Sequence, residues 1–299
     1  MPAFSPPPTS AASKAILAVV LTSLFFAISD VAAQVETRRL PPLEVAWLRY
    51  VIFVGMMVFW QRRGLREMLR TEMPFWQIGR GLFAVASAGC FLLCLPLLPI
   101  GDATAIAFAA PFIVLALSVP LLGEHVGLRR WLIAGFGLAG VLIIVQPGTS
   151  AFQWAALLPL AAAFFSSMVI LSTRIMANEK PVNMLAYTAL VGFVVLGLAM
   201  PFNWKTPEWR DFGVLAINGI AAAIANLTLV SAYRNGPVSL AAPFSYIQLV
   251  FAGVLGLLVM GSVPTPLAVI GAAIIALSGI VGAFLENREA SARRALLRV

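Results

Sequence analysis

The sequence is poor in what a water-facing protein needs at its surface. Only 11% of its 299 residues are charged, against 61% hydrophobic, where soluble domains carry roughly 25% charged residues. So little charge cannot coat a globule. This excludes a soluble enzyme or binding module and makes lipid the expected surrounding solvent. Histidine is nearly absent (His125 alone) and there are two cysteines, Cys90 and Cys94, which leaves no ligand set for a His/Cys metal centre. The cysteines lie four apart in an apolar run and read as small fillers on one helix face. No Gly-x-x-x-x-Gly-Lys-Ser/Thr motif occurs, so ATP-driven pumping is disfavoured, and no cofactor or metal is expected. The net charge of +8 would suit nucleic acid, but the basic residues fall in gaps between apolar runs. No nucleic-acid partner is expected.

Long apolar runs are what the chain has in abundance, and its mean hydropathy is +0.96. A bilayer core needs about 20 residues of helix. Ten runs meet this: residues 13–34, 43–61, 75–97, 103–122, 128–145, 154–175, 182–202, 212–233, 239–260 and 266–285. They do not alternate as barrel strands would. The expected fold is therefore an all-α integral membrane protein with ten transmembrane helices. Residues 1–12, rich in Pro and Ser, read as a disordered tail, and the first run as an uncleaved helix. Residues 286–299 read as a basic cytoplasmic tail. Fifteen of the twenty Lys and Arg residues fall on one side of the ten-span scheme, which predicts both termini on the cytoplasmic side.

The chain repeats itself. An offset of 138 to 139 residues places Phe25-Phe26 on Phe164-Phe165, Pro42 on Pro181, Gly81 on Gly219 and Pro99 on Pro237. It also places Ala103 on Ala241, Gly123 on Gly261 and Gly140 on Gly279. Matches at Gly and Pro mark shared breaks and close helix contacts. Two five-helix units result, residues 13–146 and 147–285. Five is odd, so the second copy inserts upside down, an inverted repeat of the kind that builds many secondary transporters.

Three stretches carry a family likeness. They are "LPPLEVAWLRY", "LPIGDATAIAFAAPFIVLALSVPLLGEHVGLRRWLIAGFGLAGVLII" and "SSMVILSTRIM", with Pro111, Gly123-Glu124 and the Gly135/Gly140 pattern. Through these the chain resembles the EamA-type, ten-helix branch of the drug/metabolite transporter superfamily. It departs at Gly261-Ser262, where Gly-Glu is usual, and at "FFAISD" in the first helix. The resemblance implies a carrier of small metabolites in a bacterial inner membrane, with lipid as its surroundings. It further implies export, with amino acids as a common substrate class. Aromatic and other bulky apolar amino acids are the expected substrates, and uptake of a nucleoside-like metabolite such as S-adenosylmethionine is the alternative.

Polar groups at bilayer depth normally face a cavity or a partner. Asp30 shares a helical stripe with Ser23, Ala27 and Gln34, and its alternative role is a structural hydrogen-bond cluster or an ion pair with Arg49. The expected substrate cavity comprises Ser29, Asp30, Gln34, Thr104, Phe108, Ser166, Asn226, Tyr246 and Gln248. Pro111, Pro159 and Pro243 are candidate hinges, or structural bends. Asp102 reads as the N-cap of the fourth helix. An intramembrane aspartyl protease built on Asp30 and Asp102 would need the two acids in contact, and "PIGD" lacks the expected motif. A channel without alternating access is the remaining alternative, and no catalytic residue is expected.

Overall fold

The computed structural model describes residues 9–60, 69–123, 127–147, 153–235 and 242–296. Among these there are helices and no strands. Ten helices follow in order: α1 (Thr9–Glu36), α2 (Pro42–Trp60), α3 (Pro74–Cys94) and α4, which is broken into Ile100–Ala107 and Ala110–Leu122. Then come α5 (Leu128–Val145), α6 (a 3-10 turn Trp154–Ala156 leading into Leu157–Ile175), α7 (Pro181–Asn203) and α8 (Asp211–Asn235). α9 opens as a 3-10 segment, Ala242–Tyr246, and continues as Ile247–Met260; α10 is Pro266–Leu296. Among the described residues eight helices are long and apolar enough to cross a membrane, and Phe244–Met260 and Pro266–Gly282 are shorter apolar helices.

The boundaries follow local chemistry. α2, α3, α7 and α10 begin on proline, whose missing N–H belongs to the first turn, where no intrahelical acceptor exists. α4 and α9 end at Gly123 and Gly261, both left-handed with φ of 66° and 65°, a conformation that costs other residues more. These two glycines are repeat equivalents.

Residues 9–12 are helical as the start of α1, and helical backbone in α10 runs through Leu296; residues 1–8 and 297–299 lie outside the described residues. Two expectations are corrected. Asp102 is not an N-cap. Pro99 holds that position, because the helix starts one turn earlier, and Asp102 sits inside the first turn with Oδ1 buried and unpartnered. Asp30 makes no ion pair with Arg49: among the described residues the ion pairs are Arg39–Glu208, Arg39–Asp211 and Arg210–Glu208.

The two halves interlock. α1 packs on α8, α2 on α7, α3 on α6, α4 on α9 and α5 on α10, a set unchanged when the halves are exchanged. Every pair runs antiparallel. Thr22 meets Thr228 while Ser29 meets Asn218; Tyr50 lies on Gly192 while Trp47 lies on Gly197; Ser278 donates to the Ile133 carbonyl while Gly271 meets Gly140. Copies inserted in the same sense would make α2 and α7 parallel, so the repeat is inverted. Small residues permit these close approaches. A Cβ on Gly140 would stand 2.7 Å from the Gly271 carbonyl oxygen. Large apolar side chains such as Phe59, Leu198 and Leu258 point outward, where lipid replaces water as solvent. Trp76, Trp131, Trp154, Trp204 and Trp209 are exposed near helix ends, where amphipathic rings favour the membrane interface.

Candidate functional site

The break in α4 and the 3-10 opening of α9 are the same feature in two copies. Shifted by 138 residues, Phe108 falls on Tyr246, and both stand where irregular backbone gives way to α-helix. Pro111 explains the first break: its missing N–H and its ring forbid a bond to the preceding turn. Pro243 falls in the 3-10 segment. The Phe108 and Tyr246 rings stack with centroids 5.1 Å apart at 37°. A contact between equivalent positions lies on the axis relating the halves.

Beside this pair lies a cavity of about 220 Å³. Pro111, Phe112 and Leu115 of α4, Arg130, Ile133 and Ala134 of α5, Ser245 and Tyr246 of α9, and Ser278, Gly279 and Gly282 of α10 line it. It occupies the half of the bundle nearer the two termini. Glycine slots hold its rings. A Cβ on Gly137 would come 2.0 Å from Phe112 Cζ, and one on Gly279 would come 1.9 Å from Tyr246 Cζ. The wall is made of ring faces, Ser245, the Arg130 guanidinium and Ser278, whose hydroxyl is given to the Ile133 carbonyl. Such a surface suits a flat ring carrying an anionic or carbonyl group, since Arg presents a planar fork of donors.

The opposite half is latched. Arg39 of the α1–α2 connection binds Glu208 at 2.6 Å and Asp211 at 3.0 Å. Glu44 Oε2 accepts the Lys205 N–H at 2.9 Å, and Lys205 Nζ donates to the Arg39 carbonyl at 2.7 Å. Gln34 Nε2 donates to the carbonyls of Leu95 and Leu98, each at 2.9 Å. On the cavity side the corresponding connections meet through Glu179, which accepts from the Thr71 hydroxyl at 2.7 Å and the Glu72 N–H at 2.9 Å. The Thr71 hydroxyl thereby holds the Glu179 carboxyl below the usual glutamate range, with the backbone N–H groups adding to it and burial opposing. Nearby, Arg80 of α3 donates to Thr173, Thr188 and the Met184 carbonyl.

Of the expected cavity residues, Tyr246 lines the cavity and Phe108 backs it through the ring stack; Pro111, expected as a hinge, also lines it. Ser29 is fully buried and donates to Asn218 Oδ1 at 2.8 Å. Ser166 and Asn226 spend their donors on Ala163 and Ala222 of their own helices. Asp30 is buried and makes no hydrogen bond among the described residues, though the field of Arg49 reaches it. Thr104 is buried with Oγ1 unpartnered, and Gln248 is half-buried in α9. Pro159 falls in the first turn of the α-helical part of α6, where no bend is required. Sequence reasoning missed Arg130, Ser278 and Gly279 as lining residues. The Gly140–Gly279 repeat match was the available signal for the last.

A model of the EamA-like transporter family matches residues 13–146 and again residues 153–285. The chain belongs to this family. A riboflavin transporter of Vibrio cholerae is 32% identical over 268 residues, covering 87% of this chain and 89% of that protein. An S-adenosylmethionine uptake transporter of Rickettsia prowazekii is 26% identical over 280 residues, covering 92% and 94%. A pseudopaline exporter of Pseudomonas aeruginosa is 24% identical over 271 residues, covering 89% and 94%. One solved crystal structure superposes with a TM-score of 0.67 at 23% identity, covering 92% of this chain and 98% of that one; this likeness concerns the fold. The chain is a multi-pass membrane transporter of small molecules. The protease reading falls away: family relatives are transporters, and among the described residues Asp30 and Asp102 make no hydrogen bond to each other.

Proposed function

We propose that the protein is an alternating-access carrier that takes up a flat, ring-bearing polar metabolite with an anionic or carbonyl group. It would work in a bacterial inner membrane with both termini cytoplasmic, as the Lys/Arg distribution favours. The observation that carries this reading is the aromatic cavity beside the Phe108–Tyr246 pair, with Arg130 in its wall and a latched opposite half. Two of the relatives named above favour this reading, one an S-adenosylmethionine uptake transporter and the other a riboflavin transporter. Residues 13–146 and 147–285 would rock about the axis through the stacked rings. Opening one end closes the other, and Pro111 and Pro243 supply the flexible backbone at those points.

Export of aromatic amino acids is the second reading. Cavity size favours it: about 220 Å³ lies below the roughly 300 Å³ where drug-sized ligand pockets begin. A single ring with a carboxylate would fit. Purified protein in proteoliposomes decides, with labelled riboflavin, S-adenosylmethionine and tryptophan as probes. Saturable uptake with counterflow of riboflavin or S-adenosylmethionine supports the proposal. Counterflow of tryptophan alone moves the assignment to the second reading, and unsaturable leak of all three refutes a carrier.

A further inference from the structure

In the latched half Asp211, Glu208 and Glu44 each hold a partner, whereas both oxygens of Glu36, like Asp102 Oδ1 on α4, have none. Asp211 Oδ1 binds Arg39 at 3.0 Å and its Oδ2 accepts the Glu208 N–H at 2.8 Å. Glu208 has Arg39 and Arg210. Glu44, on α2, holds the Lys205 N–H. Glu36, the last residue of α1, is 3% exposed, and neither of its carboxylate oxygens has a hydrogen-bond partner. Opposite it on α8 stands Asn218, 1% exposed. Its Oδ1 accepts from Ser29, while its Nδ2 faces Glu36 without closing a hydrogen bond. An unpartnered donor and an unpartnered acid confront each other in a buried junction.

A bare carboxylate cannot persist there, because burying an unpaired charge costs several kcal/mol. The surrounding charges do not supply a counter-ion. Arg39 is shared between Asp211 and Glu208, Lys205 is held by the Arg39 carbonyl, and Arg38 is exposed. The α3–α4 turn (95–99) and the α9–α10 connection (261–265) carry no charge; Asp102 on α4 and Asp30 one helical stretch below are themselves acids. A metal cation is disfavoured by the Asn218 amide hydrogens directed at the site. A proton fits: the neutral carboxyl accepts from Asn218 Nδ2 through its carbonyl oxygen and retains an O–H to donate.

We propose that Glu36 is the proton-binding site that couples the latched end of the carrier to the proton gradient. Protonated, it is neutral, and α1 and α8 close against each other beneath the Arg39–Glu208–Asp211 latch. Deprotonated, it repels Asp211 and demands hydration, which the junction can provide only by parting. Proton entry from that end therefore accompanies closure, and an inward gradient drives uptake. The coupling rests on the carrier reading above, but the protonation itself does not.

Two measurements on full-length protein separate these. First, wild type labelled with dicyclohexylcarbodiimide, which modifies protonated carboxyls in apolar surroundings, is read peptide by peptide across about pH 5 to 9, the range that buried carboxyls span. Glu36 should be modified, with the yield falling as pH rises. No modification of Glu36 at any pH overturns the proposal whether or not transport is seen. Second, in proteoliposomes with riboflavin or S-adenosylmethionine, an inward gradient of one pH unit should raise accumulation about tenfold for one proton per substrate. Glu36→Gln should lose that stimulation while keeping counterflow, and Glu36→Asp should retain part of it. Gradient-driven uptake that survives in Glu36→Gln overturns the coupling. Absence of counterflow in wild type refutes the carrier reading and leaves the labelling result to decide the site.

Discussion

Gly279→Ala tests the central geometry with one methyl group. The new Cβ would lie 1.9 Å from both Cζ and Oη of Tyr246 and 2.2 Å from Cε2, well inside van der Waals contact. Tyr246 is 8% exposed and stacked on Phe108, so its ring can retreat only into the cavity. Overpacking of this kind costs typically about 1–3 kcal/mol. Losing the ring stack adds about 0.5–1.5 kcal/mol, and replacing a helical glycine returns up to about 1 kcal/mol. The net expectation is a loss of about 0.5–4.5 kcal/mol. Gly135→Ala, on α5 with nothing within 4 Å of the added carbon, is the matched control and should be neutral or slightly stabilising. Unfolding in mixed micelles measures both, and proteoliposome flux should fall in Gly279→Ala if the displaced ring enters the cavity and the cavity is the proposed substrate path. In a Tyr246→Ala background the Gly279→Ala change should cost almost nothing. Equal stability of the two alanine variants, or additivity of the double variant, would refute the glycine-slot reasoning.

Other outcomes are expected from the same structure. Gly140→Ala drives a methyl against the Gly271 carbonyl at 2.7 Å and should lose about 1–3 kcal/mol in micelle unfolding, since backbone cannot swing aside. Glu179 is held below the unfolded value of 4.5 by the Thr71 hydroxyl. Its contribution is therefore complete above pH 4.5 and lost as pH falls through the lower folded value. The stability gap between wild type and Glu179→Gln should accordingly be present near neutrality and vanish in acid. Arg130→Gln should raise the half-saturating concentration of anionic or carbonyl-bearing probes about tenfold or more, as loss of one charged hydrogen bond implies, without abolishing counterflow. Asp102→Asn should leave flux unchanged, as its side chain lies at a helix start away from the cavity lining.

Much of the fold was legible because lipid makes the code simple. Runs of about twenty apolar residues must be helices, and prolines at 42, 74, 181 and 266 punctuate their starts. The repeat was legible because Gly123/Gly261 and Gly140/Gly279 are needed for φ and for close approach in both copies. The site was less legible. Asp30, Ser166 and Asn226 are polar residues in apolar runs, but whether a hydroxyl or amide faces a cavity or bonds its own helix is decided by rotation about the helix axis, which composition does not encode. Arg130 counted as a topology signal although it also lines the cavity. Glu36 escaped notice because the first run was ended at Gln34, two residues short, and a glutamate just past a span looks like an ordinary loop residue.

The stacking of Phe108 on Tyr246 has a geometric implication for how this carrier moves. If the halves trade shapes during a cycle, any contact off their shared axis has a mirror partner that must form as it breaks: the ion-paired clasp through Arg39 at one face, the hydrogen-bonded carboxylate of Glu179 at the other. The two rings have no such partner but each other. Their separation is the same at the start and finish of the exchange, so they act as a pivot. In such an exchange the two clasps would differ in chemistry, ion-paired on one face and hydrogen-bonded on the other, and raising ionic strength should weaken the first more than the second.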